Sequence, residues 1–347
     1  MRKSFRFFLL ALLATLALGI VACGGDDDDG GDGGGDGAAQ EKKSIKAGVV
    51  TDIGGLNDRS FNFLANKGLE DAESELGVEG RVLLSESNGD YVPNLTTLST
   101  QQFDLAISVG FLMGDATATV AGKFPDAKFA IVDFPASGLK GKPKNVEGLL
   151  FKEQEAGYLA GYLAGLWAKD NDATAVSTVG GQKIPPVDHY IAGFQAGAKA
   201  ANPGIKTLNG YSQDFVAQDK CKEIALDQIA QGSKVVFQVA GQCGLGALDA
   251  AKEKGVQGIG VDADQAYLGD HILTSALKKV DVAVFEAIKR AQDGTFKGGT
   301  DVIATVENDG VGLGKLGPEG EQYADQIQEI TDKIAAGEIP DIPDTVK

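Results

Sequence analysis

Cysteine, histidine and tryptophan are scarce in this chain of 347 residues, which has three, two and one of them. So few cysteines exclude a disulfide-scaffold fold, and neither C-x-x-C nor H-x-x-x-H spacing is present to hold zinc. Positive charge is also short. The 32 Lys and Arg face 49 Asp and Glu, a net charge of −17, which argues against nucleic acid as a partner and against a surface built for anionic lipid. Long apolar runs are limited to Phe7–Val21, shorter than the roughly 20 residues needed to span a bilayer as a helix. Catalytic constellations are missing as well: His189 and His271 lie far apart, and neither has a Ser or Cys nucleophile in an elbow motif nearby. Gly312-x-Gly314-x-x-Gly317 matches the dinucleotide fingerprint literally, but Pro318 follows at once and no βαβ unit comes after it. In the same stretch Leu316 follows Gly314-Lys315 where a phosphate loop needs Ser or Thr. No cofactor and no metal are expected.

What the chain has in excess is glycine, 48 residues against a usual share of roughly 7%, without a G-X-Y period. Much of it is read as strand-end turns at Gly54-Gly55, Gly180-Gly181 and Gly241 to Gly246. The amino terminus sets the compartment. Arg2, Lys3 and Arg6 precede the apolar run, which marks residues 1–22 as a signal peptide. Ile20-Val21-Ala22-Cys23 then resembles the bacterial lipobox, in which the cysteine is lipidated and becomes the mature amino terminus. Residues 23–44 follow as a Gly/Asp tether with almost nothing to bury, holding the body roughly 25 Å from its anchor. The expected location is the extracytoplasmic face of the cell membrane, with membrane contact through the lipid alone.

From Ile45 onward, short β-branched runs alternate with longer amphipathic stretches. Strands are predicted at residues 45–51, 81–85, 105–109, 128–132 and 146–150, with helices at 60–76, 94–102, 114–124 and 153–168 between them. Ser60 is a candidate N-cap for the first helix. The order restarts with strands at 174–179, 206–211, 235–239 and 258–261 and helices at 188–202, 216–231 and 244–254. A further strand at 273–276, a helix at 280–294, a Gly-rich segment and a terminal helix at 318–336 complete the chain. Continuous apolar strands in this alternation imply α/β architecture: two doubly wound parallel-sheet lobes facing each other across a hinge and cleft. The lobes are assigned as 45–170 plus about 273–300, and 171–272 plus about 301–347. Ligands of such sheets bind beyond the carboxyl ends of the strands.

Those ends carry the chemistry. The first rim reads Asp52 to Asn62 and includes Asn57, Asp58, Ser60 and Phe61; capping and turns account for Asn57, Asp58 and Ser60 but not for an aromatic set beside the cleft. Aspartates recur at later ends as Asp133, Asp262 and Asp264. Each can bind ligand hydroxyls or ring N–H groups, or cap the next helix. VTDIGGLNDRSFN, FKEQEAGYLAG, PPV-x(6)-GFQAGA, VVFQVAGQCGLG and GIGVDADQ together resemble the basic membrane protein family of ABC-transporter substrate-binding lipoproteins, the group that includes purine nucleoside receptors. The resemblance runs from about Lys46 to Val284. It implies a type I periplasmic-binding-protein fold closing on a small molecule, most simply a purine nucleoside, that is handed to ABC permease subunits. It further implies a base stacked between Phe61 and Phe215, with Phe194 left as a core residue. Asp133 matches a base-binding carboxylate, Asp262 a ribose-binding one, Gly241 a backbone contact to the sugar, and Lys278, or its neighbour Lys279, the lysine near the ribose. Asp52 and Asn62 complete the set, and Gln154 departs from relatives that often carry an acid there.

Cys221 falls near the start of a helix and Cys243 just after the following strand, both at the carboxyl edge of a βαβ unit. A disulfide between them is expected, worth roughly 3 kcal/mol on a chain-entropy estimate; the alternative is two separate thiols. Two other functions stay open: a sensor presenting its ligand to a signalling receptor, and a nucleoside hydrolase using a carboxylate pair such as Asp262 and Asp264.

Overall fold

The computed structural model describes residues 44–346, so the signal peptide, the tether up to Lys43 and Cys23 lie outside the described residues. Two six-stranded sheets form the body. The first contains β1 (Lys46–Val50), β2 (Glu79–Leu83), β3 (Leu105–Ser108), β4 (Lys128–Val132), β5 (Val146–Phe151) and β11 (Asp301–Ala304), in the order β11-β5-β4-β3-β1-β2, all parallel. The second contains β6 (Ala175–Gly180), β7 (Lys206–Tyr211), β8 (Ser233–Val239), β9 (Gln257–Asp262), β10 (Ile272–Lys278) and β12 (Val311–Leu313), in the order β12-β10-β9-β8-β6-β7. Only β12 runs antiparallel to its neighbour. The two orders are the same topology used twice, so the end of β4 corresponds to the end of β9.

Helices cover both faces of each sheet. In the first lobe α1 (Phe61–Leu76) and α8 (Val280–Gln292) pack together, as do α2 (Tyr91–Thr100) and α3 (Gly114–Lys123). In the second lobe α6 (Gln218–Ala230) pairs with α7 (Gly241–Lys254), while α4 (Glu153–Asp170) and α5 (Pro185–Ala201) form the most extensive helix pair among the described residues, with α9 (Ala324–Ala335) against α4. Spacing explains the burial: α1 buries Leu64, Ala65, Leu69, Ala72 and Leu76 along one stripe and ends at Gly77, whose φ of 67° is a left-handed cap.

The lobe boundaries differ from the sequence assignment in three places. The assignment puts helix α4 with the first lobe, but it packs on β10, β12, β6 and α5 of the second. It also gives residues 273–278 to the first lobe, yet β10 pairs in register with β9 of the second sheet. Conversely β11, assigned to the second lobe, pairs with β5 in the first. The chain therefore crosses between lobes at β5 to α4, β10 to α8 and β11 to β12. Hydrophobic periodicity reports that a segment is buried, not which sheet buries it.

Part of the glycine excess has an origin other than strand-end turns. A Cβ on Gly157, Gly161 or Gly165 of α4 would collide with the backbone carbonyls of Tyr190, Phe194 and Ala198 on α5, and Gly193 and Gly197 of α5 stand in the same relation to α4. These glycines let two helix backbones touch. Phe194 is wholly buried against Phe237, a core residue as expected.

Candidate functional site

The carboxyl ends of the two sheets face one another across a cleft whose free space, with the open solvent at its mouth, is about 620 Å³. All eight candidate ligand residues line it: Asp52, Phe61, Asn62 and Asp133 from the first lobe, and Phe215, Gly241, Asp262 and Lys278 from the second. Asp52 follows β1, Phe61 and Asn62 open α1, and Asp133 follows β4. On the other side Phe215 sits between β7 and α6, Gly241 opens α7, and Asp262 and Lys278 end β9 and β10. Asp133 and Asp262, which occupy corresponding strand ends, both have left-handed backbones, with φ of 69° and 61°. Non-glycine residues adopt that conformation rarely, aspartate more readily than most, and it turns each carboxylate out of the strand toward the cleft.

One corner concentrates charge. Lys278 Nζ lies 2.6 Å from Asp133 Oδ1 and donates to Glu153 Oε1 at 2.8 Å; the side chains of the lysine and of both acids are at most 5% exposed. His189 Nδ1 donates to the other oxygen of Glu153 at 2.9 Å. Asp262 completes the corner by accepting from Ser60 Oγ at 2.7 Å and from Tyr190 at 3.4 Å. The Lys278–Asp133 pair and the Ser60–Asp262 bond both join one lobe to the other. Burial pushes the Asp262 carboxyl up to about 6 despite the opposing pull of Lys278. Asp133 is raised for the same reason. Burial would also raise Glu153, but Lys278 and His189 outweigh it and hold this carboxyl below its ordinary range. Burial disfavours a charged Lys278, yet the surrounding carboxylates keep it firmly protonated. Its ammonium also stands 5.2 Å from the Phe61 ring centroid and 4.8 Å from that of Phe151.

The other polar end is built on Asp52. One of its oxygens accepts from Tyr91 and from the Ile53 amide at 2.7 Å, and its own amide donates to Asn62 Oδ1 at 2.8 Å. The second oxygen faces Gly110, where a Cβ would come within 2.8 Å of it. Burial pushes this carboxyl up to about 6, against the lowering effect of the Tyr91 hydroxyl. Asp58 caps α1, accepting from the amides of Ser60, Asn62 and Phe63 at 3.1, 2.7 and 3.1 Å. That is the duty expected of Ser60, whose hydroxyl is instead spent on Asp262 across the cleft.

The resemblance placed Asp133 at a base and Lys278 at a ribose, whereas here the two are in contact and form one polar corner. Lys279 is the partly exposed partner of Asp309, and of the two lysines it is Lys278 that lines the cleft. Asp264 accepts from the amides of Ala266 and Lys315 and is absent from the cleft lining, which dissolves the Asp262–Asp264 carboxylate pair. Gly312 lies in β12, with no helix N-terminus behind it to hold a phosphate. Among the described residues, no group of three His, Cys, Asp or Glu could hold a metal ion. Cys221 and Cys243 form a disulfide with Cα atoms 5.6 Å apart. Sequence reasoning passed over Tyr190, which lines the cleft, and the Glu153–His189 pair behind Lys278. Proline at the start of α5 marks the helix entrance, but nothing local shows that its first turns face a ligand.

Comparison with known proteins agrees with the two-lobe fold. The family described as Bmp, ABC transporter substrate-binding protein PnrA-like, matches residues 45–345. An uncharacterized lipoprotein of Pyrococcus abyssi is 36% identical over 88% of this chain and 76% of its own. The ABC transporter nucleoside-binding protein BmpA of Lactococcus lactis is 35% identical over 79% of this chain and 82% of its own. Among solved structures, an ABC transporter solute-binding protein from Aeropyrum pernix superposes with a TM-score of 0.77 at 29% identity, covering 86% of this chain and 94% of that one.

Proposed function

The chain belongs to the PnrA-like, basic membrane protein family of ABC transporter substrate-binding proteins, and from that premise we propose that it captures a purine nucleoside between its lobes and passes it to an ABC permease. The observation that carries this reading is a cleft with an aromatic side chain from each lobe, Phe61 and Phe215, and a carboxylate cluster at each end. A nucleoside has that division of chemistry: a base with two π-faces and polar edges, and a sugar with vicinal hydroxyls. Aromatic stacking is worth about 1–3 kcal/mol per base. Asp52 and Asn62 then read the base edge, while Asp133, Asp262, Lys278 and the Gly241 backbone take the ribose. Opening and closing run through the three interlobe crossings. Lipidation at Cys23 anchors the protein outside the cytoplasm, in keeping with the lipoprotein name of the Pyrococcus relative. No bond of the ligand is made or broken.

Titration calorimetry of the purified protein with guanosine, inosine and adenosine tests the reading. At least one should bind, with a 1:1 stoichiometry, and Phe61→Ala should weaken it by about 5- to 150-fold, the equivalent of the stacking range. Absence of binding to all three, or an unchanged affinity in Phe61→Ala, overturns it. Chromatography of the mixture after incubation should return the nucleoside intact; released free base would point to a hydrolase.

A further inference from the structure

The aromatic residue of the second lobe is supported in an unusual way. From Lys206 to Lys220, a stretch that comprises the edge strand β7 and the segment leading to α6, no residue is fully buried. Phe215 sits within it, close to exposed Val216 and Gln213, the latter with a left-handed φ of 55°. The nearest buried side chains along the chain are Ile205 before the stretch and Cys221 after it. Cys221, in the first turn of α6, is bonded to Cys243 in the first turn of α7. The Cys243 amide also donates to the Phe215 carbonyl at 3.0 Å. Gly241, two residues before Cys243, lies against Phe215: a Cβ there would meet the phenylalanine backbone and ring at 3.5 to 3.9 Å. On its other side the Phe215 ring rests on Gly181, where any Cβ would collide with it. Phe215 thus sits on the rim of the core, partly buried like Phe61, and a covalent link to the well-buried start of α7 stands beside it.

We propose that the Cys221–Cys243 disulfide is a positioning element of the binding site, pinning the Phe215 segment to the first turn of α7 so that the aromatic wall and the Gly241 backbone form one preformed surface. This rests on the nucleoside reading for the ligand, but not for the mechanics. Preorganisation of this kind raises affinity by removing the ordering cost that a loose aromatic would incur on binding. The cysteines are positioning residues, acting through Phe215.

A double-mutant cycle on the full chain tests it, comparing wild type, Cys221→Ser/Cys243→Ser, Phe215→Ala and the triple variant by calorimetry with the tightest of the three nucleosides. Removing the disulfide should weaken binding about tenfold when Phe215 is present and less than twofold in the Phe215→Ala background. An equal loss in both backgrounds, or no loss in either, overturns the proposal, because a merely structural staple acts without regard to the side chain at that position. Hydrogen exchange supplies a readout that needs no ligand. In the double-serine variant, amides of residues 215–217 and of position 243 should exchange about tenfold faster while those of β1 and β3 keep their rates. Unchanged exchange at 215–217 also overturns the proposal. A wild-type chain that binds no nucleoside sinks the ligand reading, and exchange then decides the positioning role alone.

Discussion

Replacing Lys278 by methionine removes the cation from a corner that holds Asp133, Glu153 and Asp262. Methionine keeps most of the stem volume, so the loss is electrostatic and not a cavity effect. Breaking a buried ion pair by removing one partner costs about 3–5 kcal/mol. Here two contacts, at 2.6 and 2.8 Å, are lost together, and neither acid is more than 5% exposed, which puts the expected loss at the upper end of that range. The loss must also depend on pH. Asp262 already titrates at about 6 in the folded protein, above the value of about 3.9 for an unfolded aspartate. Without Lys278, Asp133 and Asp262 are raised further, and Glu153 loses the main pull that holds it low. A carboxyl whose folded value lies above its unfolded one makes the folded state bind the extra proton, so stability falls as pH rises through that window. The deficit of Lys278→Met is therefore largest at pH 8 and shrinks as the acids take up protons, by about 1.4 kcal/mol for each unit of additional shift. Urea denaturation at pH 8 and pH 5, followed through the fluorescence of Trp167 on α4, reads both quantities. A loss below about 1 kcal/mol at pH 8, or the same loss at both pH values, would refute the reasoning.

Three further outcomes are expected. Ser60→Ala removes a hydrogen bond between the lobes, so small-angle scattering should show a larger radius of gyration for the ligand-free variant, restored on adding ligand; identical curves would mean that the bond does not hold the cleft. On the nucleoside reading, Asp52→Asn should flatten the pH profile of affinity: with the wild-type anion accepting from the base, binding should be strong above about 6 and decline as the carboxyl is protonated below it. A wild-type affinity that is constant from pH 5 to 7 contradicts this. Gly161→Ala drives a methyl into the Phe194 carbonyl on α5 and should cost about 1–3 kcal/mol or more by overpacking, whereas Gly122→Ala, where a Cβ meets nothing within 4 Å, should change stability little. Thermal melts of the pair decide it.

What could be read in the sequence, and what could not, divides along the range of the interactions. Strand ends are local: a β-branched run followed by Asp, Gly or Phe is visible in a short window, and that was enough to gather eight residues that do line one cleft. Partners are not local. Asp133 and Lys278 come from different sheets, and only the facing of the two sheets puts them 2.6 Å apart. A matched phenylalanine or aspartate therefore falls in the cleft while leaving open which polar groups share an end of it. Ser60 shows the same limit, since a serine before a helix looks like a cap until Asp58 is seen to hold the three amides. Strands β11 and β12 were hidden for a different reason. They are edge strands of four and three residues, too short for a period to register. Yet one long-range feature did leave a local trace. The strand Ile272–Lys278 is buried along nearly all its length, and a lysine that ends such a strand must either reach water or find anions. At the neighbouring Lys279 the side chain turns outward to Asp309. Between the two adjacent lysines it is burial within the strand that marks Lys278, and the three carboxylates around it answer that demand.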